Sequence, residues 1–92
     1  MTSKASSPVA KKNPGLGAAV RGLRLLAQLT QAEVAERAEL SRGWISRIEA
    51  GNVEPRWGDM RRVAIALNTR IGRLAALAEE LEPPERRQPR SG

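Results

Sequence analysis

Cysteine and histidine are both absent from this 92-residue sequence, and so are phenylalanine and tyrosine. Without cysteine a disulfide framework is excluded, and without cysteine or histidine an ordinary zinc site is excluded too. The aromatic residues are Trp44 and Trp57 alone. This length predicts one small domain, whose core has to be built from Leu, Ile, Val and Ala. Such a core is marginally stable alone, so oligomerisation would be a reasonable supplement.

Long apolar runs are also missing. No segment approaches the roughly 20 apolar residues that cross a bilayer, and residues 1–14 lack the apolar run of a signal peptide. We therefore expect no membrane partner and a cytoplasmic location. An enzyme is not indicated either, because His and Cys are absent and Glu79 and Glu80 read as a solvated face rather than a catalytic pair. We expect no metal and no cofactor.

Positive charge dominates the sequence, with a formal net charge of +6. Residues 1–15 hold three lysines and no acid, residues 82–92 hold three arginines against two glutamates, and residues 16–81 hold ten arginines against eight acids. A basic domain with a basic arm favours a polyanionic partner, nucleic acid before membrane. Composition alone leaves open a soluble surface with cationic ends.

The chain divides into three segments by pattern. Residues 1–15 are rich in Ser, Lys, Ala and Pro and predict a disordered basic arm, and residues 82–92 predict a disordered tail. Residues 16–81 show helical periodicity and no credible strand. The predicted class is therefore all-α, with five short helices in a compact domain. The five helices are expected at about 16–29, 30–38, 41–50, 56–67 and 70–81.

Local signals mark the ends of the second and third helices. Thr30 followed by Glu33 predicts a capping box, and Ser41 predicts the N-cap of the third helix. Gly51 supplies a stop for that helix, and Pro55 prevents its continuation. The result is two short helices joined by a tight turn.

Such a pair is typical of a helix-turn-helix, in which the first helix braces across the DNA backbone and the second enters the major groove. The close crossing needs a small residue, and Ala35 provides one. Ile45 and Ile48 form the inner side of the second helix. Its outer side offers polar side chains near its N-terminus, as a groove-reading helix requires.

The stretch from Val20 to Leu74 resembles the phage repressor and Cro family of DNA-binding domains, also called the XRE type. About 55 residues are covered without a large gap, so the combination is more specific than a lone helix-turn-helix pattern. The matching segments are VRGLR at 20–24, TQAEVAERA at 30–38, LSRGWISRIEAG at 40–51, EP at 54–55, and Val63-Ala64 with Ala66-Leu67. The resemblance implies a lambda-repressor-like five-helix fold.

The resemblance also implies site residues. Positions that face bases are occupied by Ser41, Arg42, Gly43, Ser46 and Arg47. Contacts to the DNA backbone are implied for Gln31, Ser41, Trp44, Asn52 and Arg56. Arg24 and Glu49 match a pair that forms a salt bridge between the first and third helices.

Residue chemistry supports some of these roles independently. Arg42 is the best candidate for base reading, because an arginine matches O6 and N7 of guanine with two donors. Arg47 can reach a base or a phosphate, whereas Gly43 only permits close approach. Trp44 has an alternative place packed over the second helix. Trp57 is predicted in the core.

Two positions depart from the family pattern. Glu39 stands in the turn where the family commonly has Gly, which predicts a turn built slightly differently, since a left-handed backbone costs other residues about 1 kcal/mol or more. The link at residues 68–70 lacks the usual Gly, but Asn68 tolerates the same conformation.

Together these features predict a sequence-specific transcriptional regulator, acting as a repressor on double-stranded DNA and located with the nucleoid. A homodimer is expected, with Leu77, Leu81 and neighbours such as Leu74 of the fifth helix as its surface. The alternative is that the same residues close the core of the monomer. The alternatives are an antitoxin, which would use the same fold to bind a partner toxin, and a controller of a restriction system.

Overall fold

Five α-helices follow one another in the computed structural model, which describes residues 12–86. They are α1 Pro14–Leu26, α2 Gln31–Ala38, α3 Arg42–Glu49, α4 Trp57–Ala66 and α5 Ile71–Glu80, and a 3-10 turn at Pro84–Arg86 follows. The described residues contain no strand, and the predicted all-α, five-helix class is confirmed. The predicted disorder of the arm and the tail falls, for residues 1–11 and 87–92, outside the described part of the chain.

Helix α1 begins two residues before the predicted boundary, so residues 14 and 15 do not belong to a disordered arm. Asn13 is its N-cap, and the Asn13 side chain accepts a hydrogen bond of 3.0 Å from the Leu16 backbone amide. Pro14 occupies the first helical position, where no amide hydrogen is needed. The helix ends at Leu26 rather than Leu29, because Gln28 adopts a left-handed backbone with φ 59°.

The predicted caps of α2 and α3 are confirmed. The Thr30 hydroxyl accepts from the Glu33 amide at 3.0 Å, and the Thr30 amide donates to Glu33 Oε1 at 2.8 Å. The Ser41 hydroxyl accepts from the Trp44 amide at 3.0 Å. These bonds satisfy donors that a helix start leaves unpaired, so both helix starts are defined by their own sequence.

The turn between α2 and α3 keeps the left-handed geometry despite its glutamate. Glu39 has φ 60° and ψ 41°, and its amide donates to the Glu36 carbonyl. The expectation of a differently built turn is therefore wrong, because the chain accepts the unfavourable conformation at Glu39 instead of changing the path. Asn68 adopts φ 61° after α4, as expected of an asparagine at that position.

The core lies where α1 and α2 pack on both sides of α3, with α5 against α1 and α4 against α2. At Gly17 the backbones of α1 and α3 touch, since a Cβ there would lie 2.6 Å from the carbonyl oxygens of Ile48 and Glu49. The largest fully buried side chains come from all five helices. They are Leu16, Val20, Val34, Ile45, Ile48, Val63 and Leu74.

Trp57 does not belong to the core. It is the first residue of α4 and its side chain is 61% exposed, although it lies on the same side of the helix as buried Ala64. Helical periodicity identifies the side of the helix that faces inward but not where the neighbouring helices end. Because Trp57 is exposed, the prediction of a core tryptophan is wrong.

Between residues 12 and 86, no helix combines the length and apolar character needed to cross a membrane.

Candidate nucleic-acid interface

Helix α3 has two sharply different sides. Ile45 and Ile48 are 0% and 1% exposed and pack into the core. At about 100° per residue, positions 42, 43, 46 and 47 share an arc of about 140° on the opposite side. All four of these residues are exposed: Arg42, Gly43, Ser46 and Arg47. The structure therefore brings four of the five predicted base-facing positions together on one outer surface, and the fifth, Ser41, is the N-cap residue just before them.

The position of α3 relative to α1 is set by an ion pair between Arg24 and Glu49. Arg24 Nε lies 2.6 Å from Glu49 Oε2, and Arg24 Nη2 donates to Glu49 Oε1 at 3.0 Å. The two side chains are only 10% and 3% exposed. The hydrogen bonds that Arg24 donates to Glu49 raise the pKa of Arg24 above its ordinary value. This is the pair that the resemblance to the family implies.

Two further hydrogen bonds extend this pair to α2. Arg24 Nη1 donates to the Leu29 carbonyl at 2.9 Å, just before α2 begins. Gln31 Nε2, in the first turn of α2, donates to Glu49 Oε1 at 3.1 Å. Glu49 thus links α1, the start of α2 and the end of α3, and the half-buried Gln31 is held in a fixed orientation beside α3.

Two residues at the start of α3 have structural contacts besides their predicted roles. Ser41 is exposed and its oxygen caps α3, which leaves its hydroxyl hydrogen able to donate to an acceptor outside the protein. Trp44 is half-buried and packs against the core. The guanidinium carbon of Arg47 lies 5.3 Å from the centre of the Trp44 ring.

The loop after α3 carries the last two predicted contact residues, Asn52 and Arg56, and both are exposed. Gly51 turns the chain with φ 76°, and its carbonyl accepts from the Asn13 amide at 3.1 Å. Arg56 is the N-cap residue of α4, but its side chain makes no capping bond.

Sequence reasoning missed two residues that position this surface. Asn13 caps α1 and bonds to Gly51, and the pair Asn13-Pro14 carried the signal, since a capping residue before proline is typical of a helix start. Gly17 sets the close contact of α1 with the end of α3. No pattern along the chain marks Gly17, because its requirement comes from a distant segment.

Among residues 12–86, no group of three or more acidic, histidine or cysteine side chains is placed to hold a metal ion. What the surface offers instead is a row of cationic and polar side chains on a short helix, braced from behind by a second helix. That arrangement defines a helix-turn-helix DNA-binding domain.

Comparison with known proteins agrees with this class. A family model described as a helix-turn-helix domain matches residues 15–81. The clp gene regulator ClgR from Corynebacterium glutamicum has a similar crystal structure, with 28% identity, a TM-score of 0.70, and coverage of 82% of this chain and 78% of that one. The chain therefore belongs to the helix-turn-helix domain family and is a DNA-binding transcription regulator of the XRE type.

Two other solved structures share the fold at lower identity. The hypothetical transcription factor NHTF from Neisseria is 24% identical, with a TM-score of 0.65 and 91% coverage of both chains. The restriction-modification controller C.AhdI from Aeromonas hydrophila is also 24% identical, with a TM-score of 0.65 and coverage of 66% of this chain and 92% of that one. A search of curated proteins found no match.

Proposed function

We propose that this protein is a sequence-specific repressor that binds operator DNA as a homodimer, with α3 in the major groove. The observation that carries the proposal is the division of α3 into a buried side at Ile45 and Ile48 and an exposed cationic side. A domain seated in the groove excludes other proteins from that stretch of DNA, which is the simplest way for a small regulator to repress.

Base reading is assigned to the outer side of α3. Arg42 is its first residue and Arg47 its sixth, so their Cα atoms lie about 7.5 Å apart along the helix axis. Each can offer two parallel donors to guanine. Gly43 lies between them with nothing within 4 Å of a Cβ built there, which leaves room for the DNA to approach the helix closely. Ser46 can donate to or accept from any base.

Contacts to the phosphate backbone are assigned around this row. The hydroxyl of Ser41 and the amide of Gln31 lie at the starts of α3 and α2, where helix amide groups also favour an anion. Asn52 and Arg56, both exposed, extend the contact beyond the far end of α3. Trp44 is half-buried at the border of the same row. Phosphate contacts supply much of the affinity, so binding should weaken steeply as salt rises.

The homodimer is assigned to the exposed side of α5. Leu74 is 0% exposed and belongs to the core of its own chain. It therefore cannot be part of a dimer surface, and the predicted surface of Leu74, Leu77 and Leu81 is wrong for this residue. Leu77 is half-buried and packed against the same core, whereas Leu81 is 44% exposed. The remaining exposed side of α5 consists of charged and small residues, with Ala76 at its centre.

Helix geometry makes this side complementary to itself. Arg73 and Glu79 are exposed and lie three residues before and after Ala76, which is about 4.5 Å along the axis in either direction and about 60° to either side. A two-fold axis beside Ala76 would pair two α5 helices antiparallel and bring Arg73 of each to the same height along the helix axis as Glu79 of the other. Gly72 and Ala76 are small enough to allow the two helices to approach closely.

The alternative of a restriction-system controller is supported only by similarity of fold. C.AhdI is 24% identical and the controller C.Esp1396I is 18% identical, and at such identity only the fold is shared. No observation favours an antitoxin. ClgR, at 28% identity, is named a gene regulator, which supports the proposal of gene regulation for this chain.

The base-reading assignment is tested by selecting bound duplexes from random DNA and then measuring the dissociation constants of variants for a selected and an unrelated duplex at one salt concentration. We expect Arg42→Ala and Arg47→Ala each to reduce the ratio of the two constants by about 5- to 150-fold, as loss of a bidentate base contact would. The selected sequences should show two half-sites about one helical turn apart.

Arg37→Ala is the matched control, because it removes the same charge from an exposed position in the last turn of α2, about 120° around that helix from Gln31. It should leave the ratio unchanged. If Arg42→Ala and Arg47→Ala also leave it unchanged, the assignment of base reading to α3 is wrong.

A further inference from the structure

Trp44 lies on the border between the two sides of α3. At about 100° per residue it falls between Arg47 on the outer side and Ile48 on the buried side. Its ring is accordingly half-buried and packs against the core. The indole nitrogen Nε1 is buried and has no hydrogen-bond partner in the described residues. The indole is therefore held by apolar packing, with one part of its surface left toward the outer side.

That outer surface is occupied by Arg47. The guanidinium carbon lies 5.3 Å from the ring centre, within the distance of about 6 Å at which a cation is attracted to an aromatic face. Positions three apart on a helix are neighbours, so the contact needs no distortion of α3. Within residues 12–86 the Arg47 guanidinium has no ion pair and no hydrogen bond, and its contact is with the Trp44 indole.

A guanidinium that rests on a ring keeps its donors free. The N–H groups of arginine lie in the plane of the guanidinium and point outward from its edge, so a contact through its face leaves them free. A flexible arginine loses conformational freedom when it contacts a base, and one already confined on a ring loses less. The ring in turn is fixed by the core beneath it.

We propose that Trp44 is a positioning residue that confines the Arg47 side chain for base recognition, rather than a residue that touches the DNA backbone itself. The inference rests on the proposed function of α3. It predicts that the effect of Trp44 on sequence discrimination passes through Arg47 and requires an aromatic face at position 44.

The first experiment compares variants of the full chain on the selected and the unrelated duplex at one salt concentration. Trp44→Phe keeps an aromatic face and should leave the ratio of dissociation constants unchanged. Trp44→Leu keeps an apolar body without that face and should lower the ratio by about 2- to 5-fold, the effect of one exposed cation–π contact. In an Arg47→Ala background, Trp44→Leu should lower it no further.

Each of the other outcomes contradicts the inference. An equal loss from Trp44→Leu with and without Arg47 would mean that Trp44 contacts DNA independently. An unchanged ratio in Trp44→Leu would mean that the tryptophan serves packing alone. Thermal unfolding of each variant gives the fraction that is folded at the temperature of the binding experiment. The dissociation constants are then compared for the folded fraction, which separates these effects from loss of the fold.

The second experiment tests the contact in the free protein, so its result does not depend on any DNA sequence. Trp57→Phe leaves Trp44 as the single tryptophan, since the chain has two. In that background Arg47→Ala should change the fluorescence of Trp44, and Arg42→Ala should not. An unchanged spectrum in Arg47→Ala would overturn the inference while leaving the proposed DNA binding intact, whereas a wild-type protein that does not discriminate between duplexes would remove the proposed function itself.

Discussion

At the scale of single residues, Glu49 connects the packing of the domain to its DNA-binding side. It receives hydrogen bonds from Arg24 on α1 and Gln31 on α2 while lying at the end of α3. A buried ion pair adds little net stability compared with apolar residues, because both charges lose their hydration. Its value here lies in fixing the positions of three helices through directional bonds.

Removal of one partner should therefore be costly. We expect Glu49→Ala to lower the free energy of unfolding by about 3–5 kcal/mol, because it leaves the Arg24 guanidinium, 10% exposed, without its carboxylate. Urea denaturation followed by tryptophan fluorescence measures this loss.

Arg21→Ala is the control. It lies at an exposed position of α1, the helix that carries Arg24, and should change stability by no more than about 0.5 kcal/mol. The double variant Arg24→Met/Glu49→Leu should recover much of the loss, because neither charge remains buried. A cost below about 1 kcal/mol for Glu49→Ala would show that the pair does not hold the three helices together.

At the scale of elements, the turn between α2 and α3 carries strain that the caps on either side do not. Thr30 and Ser41 form the hydrogen bonds expected of good N-caps. Glu39 instead adopts a left-handed backbone, which is sterically unfavourable for a residue that has a side chain. The turn keeps its geometry because α2 and α3 are both packed on the core and the connection between them is short. Tertiary packing thus overrides a local preference.

Glu39→Gly should consequently stabilise the domain. We expect the free energy of unfolding to rise by about 1 kcal/mol, since glycine adopts φ 60° without the steric penalty. Thermal or urea denaturation provides the measurement.

Glu36→Gly is the matched control and should lower stability by about 1 kcal/mol, because position 36 lies inside α2. Glu39→Gln separates the effect of charge from that of the backbone. Destabilisation by Glu39→Gly would mean that the glutamate side chain makes a compensating contribution.

At the scale of the whole molecule, assembly determines how much DNA is read. In the proposed complex, one domain would present a single short helix to the groove, and two-fold pairing would double the site and fix the spacing of its halves. The exposed side of α5 offers opposite charges at equal distances from Ala76, which is what a two-fold interface requires. Arg73 and Glu79 are both exposed to solvent on α5.

Exchange of the two charges tests this pairing. Arg73→Glu and Glu79→Arg should each weaken self-association, because like charges then face each other across the axis, and the double variant should restore it. Sedimentation equilibrium at low and moderate salt measures the association constants.

Arg61→Glu makes the same change of charge at an exposed position of α4 and should leave association unaffected. Equal weakening by Arg61→Glu would point to net charge rather than to pairing. Failure of the double variant to recover association would exclude the antiparallel arrangement of α5.

Features that depend on a few neighbouring residues were predictable along the chain. The capping box at Thr30, the cap at Ser41 and the buried side at Ile45 and Ile48 all follow from local hydrogen bonding and helical periodicity, and the structure contains each of them. The resemblance to the XRE type supplied the pairing of Arg24 with Glu49, which no local pattern indicates.

The tertiary structure alone decided the remaining features. Trp57 is exposed, whereas Leu74 is buried in the core, where α5 packs against α1 and α4. Gly17 is required because the end of α3 crosses it at backbone distance. The sequence by itself determined which residues form helices and which side of each is apolar, since both depend on short-range energetics. Which apolar positions were actually covered depended on how five helices meet, a property of distances between segments far apart along the chain.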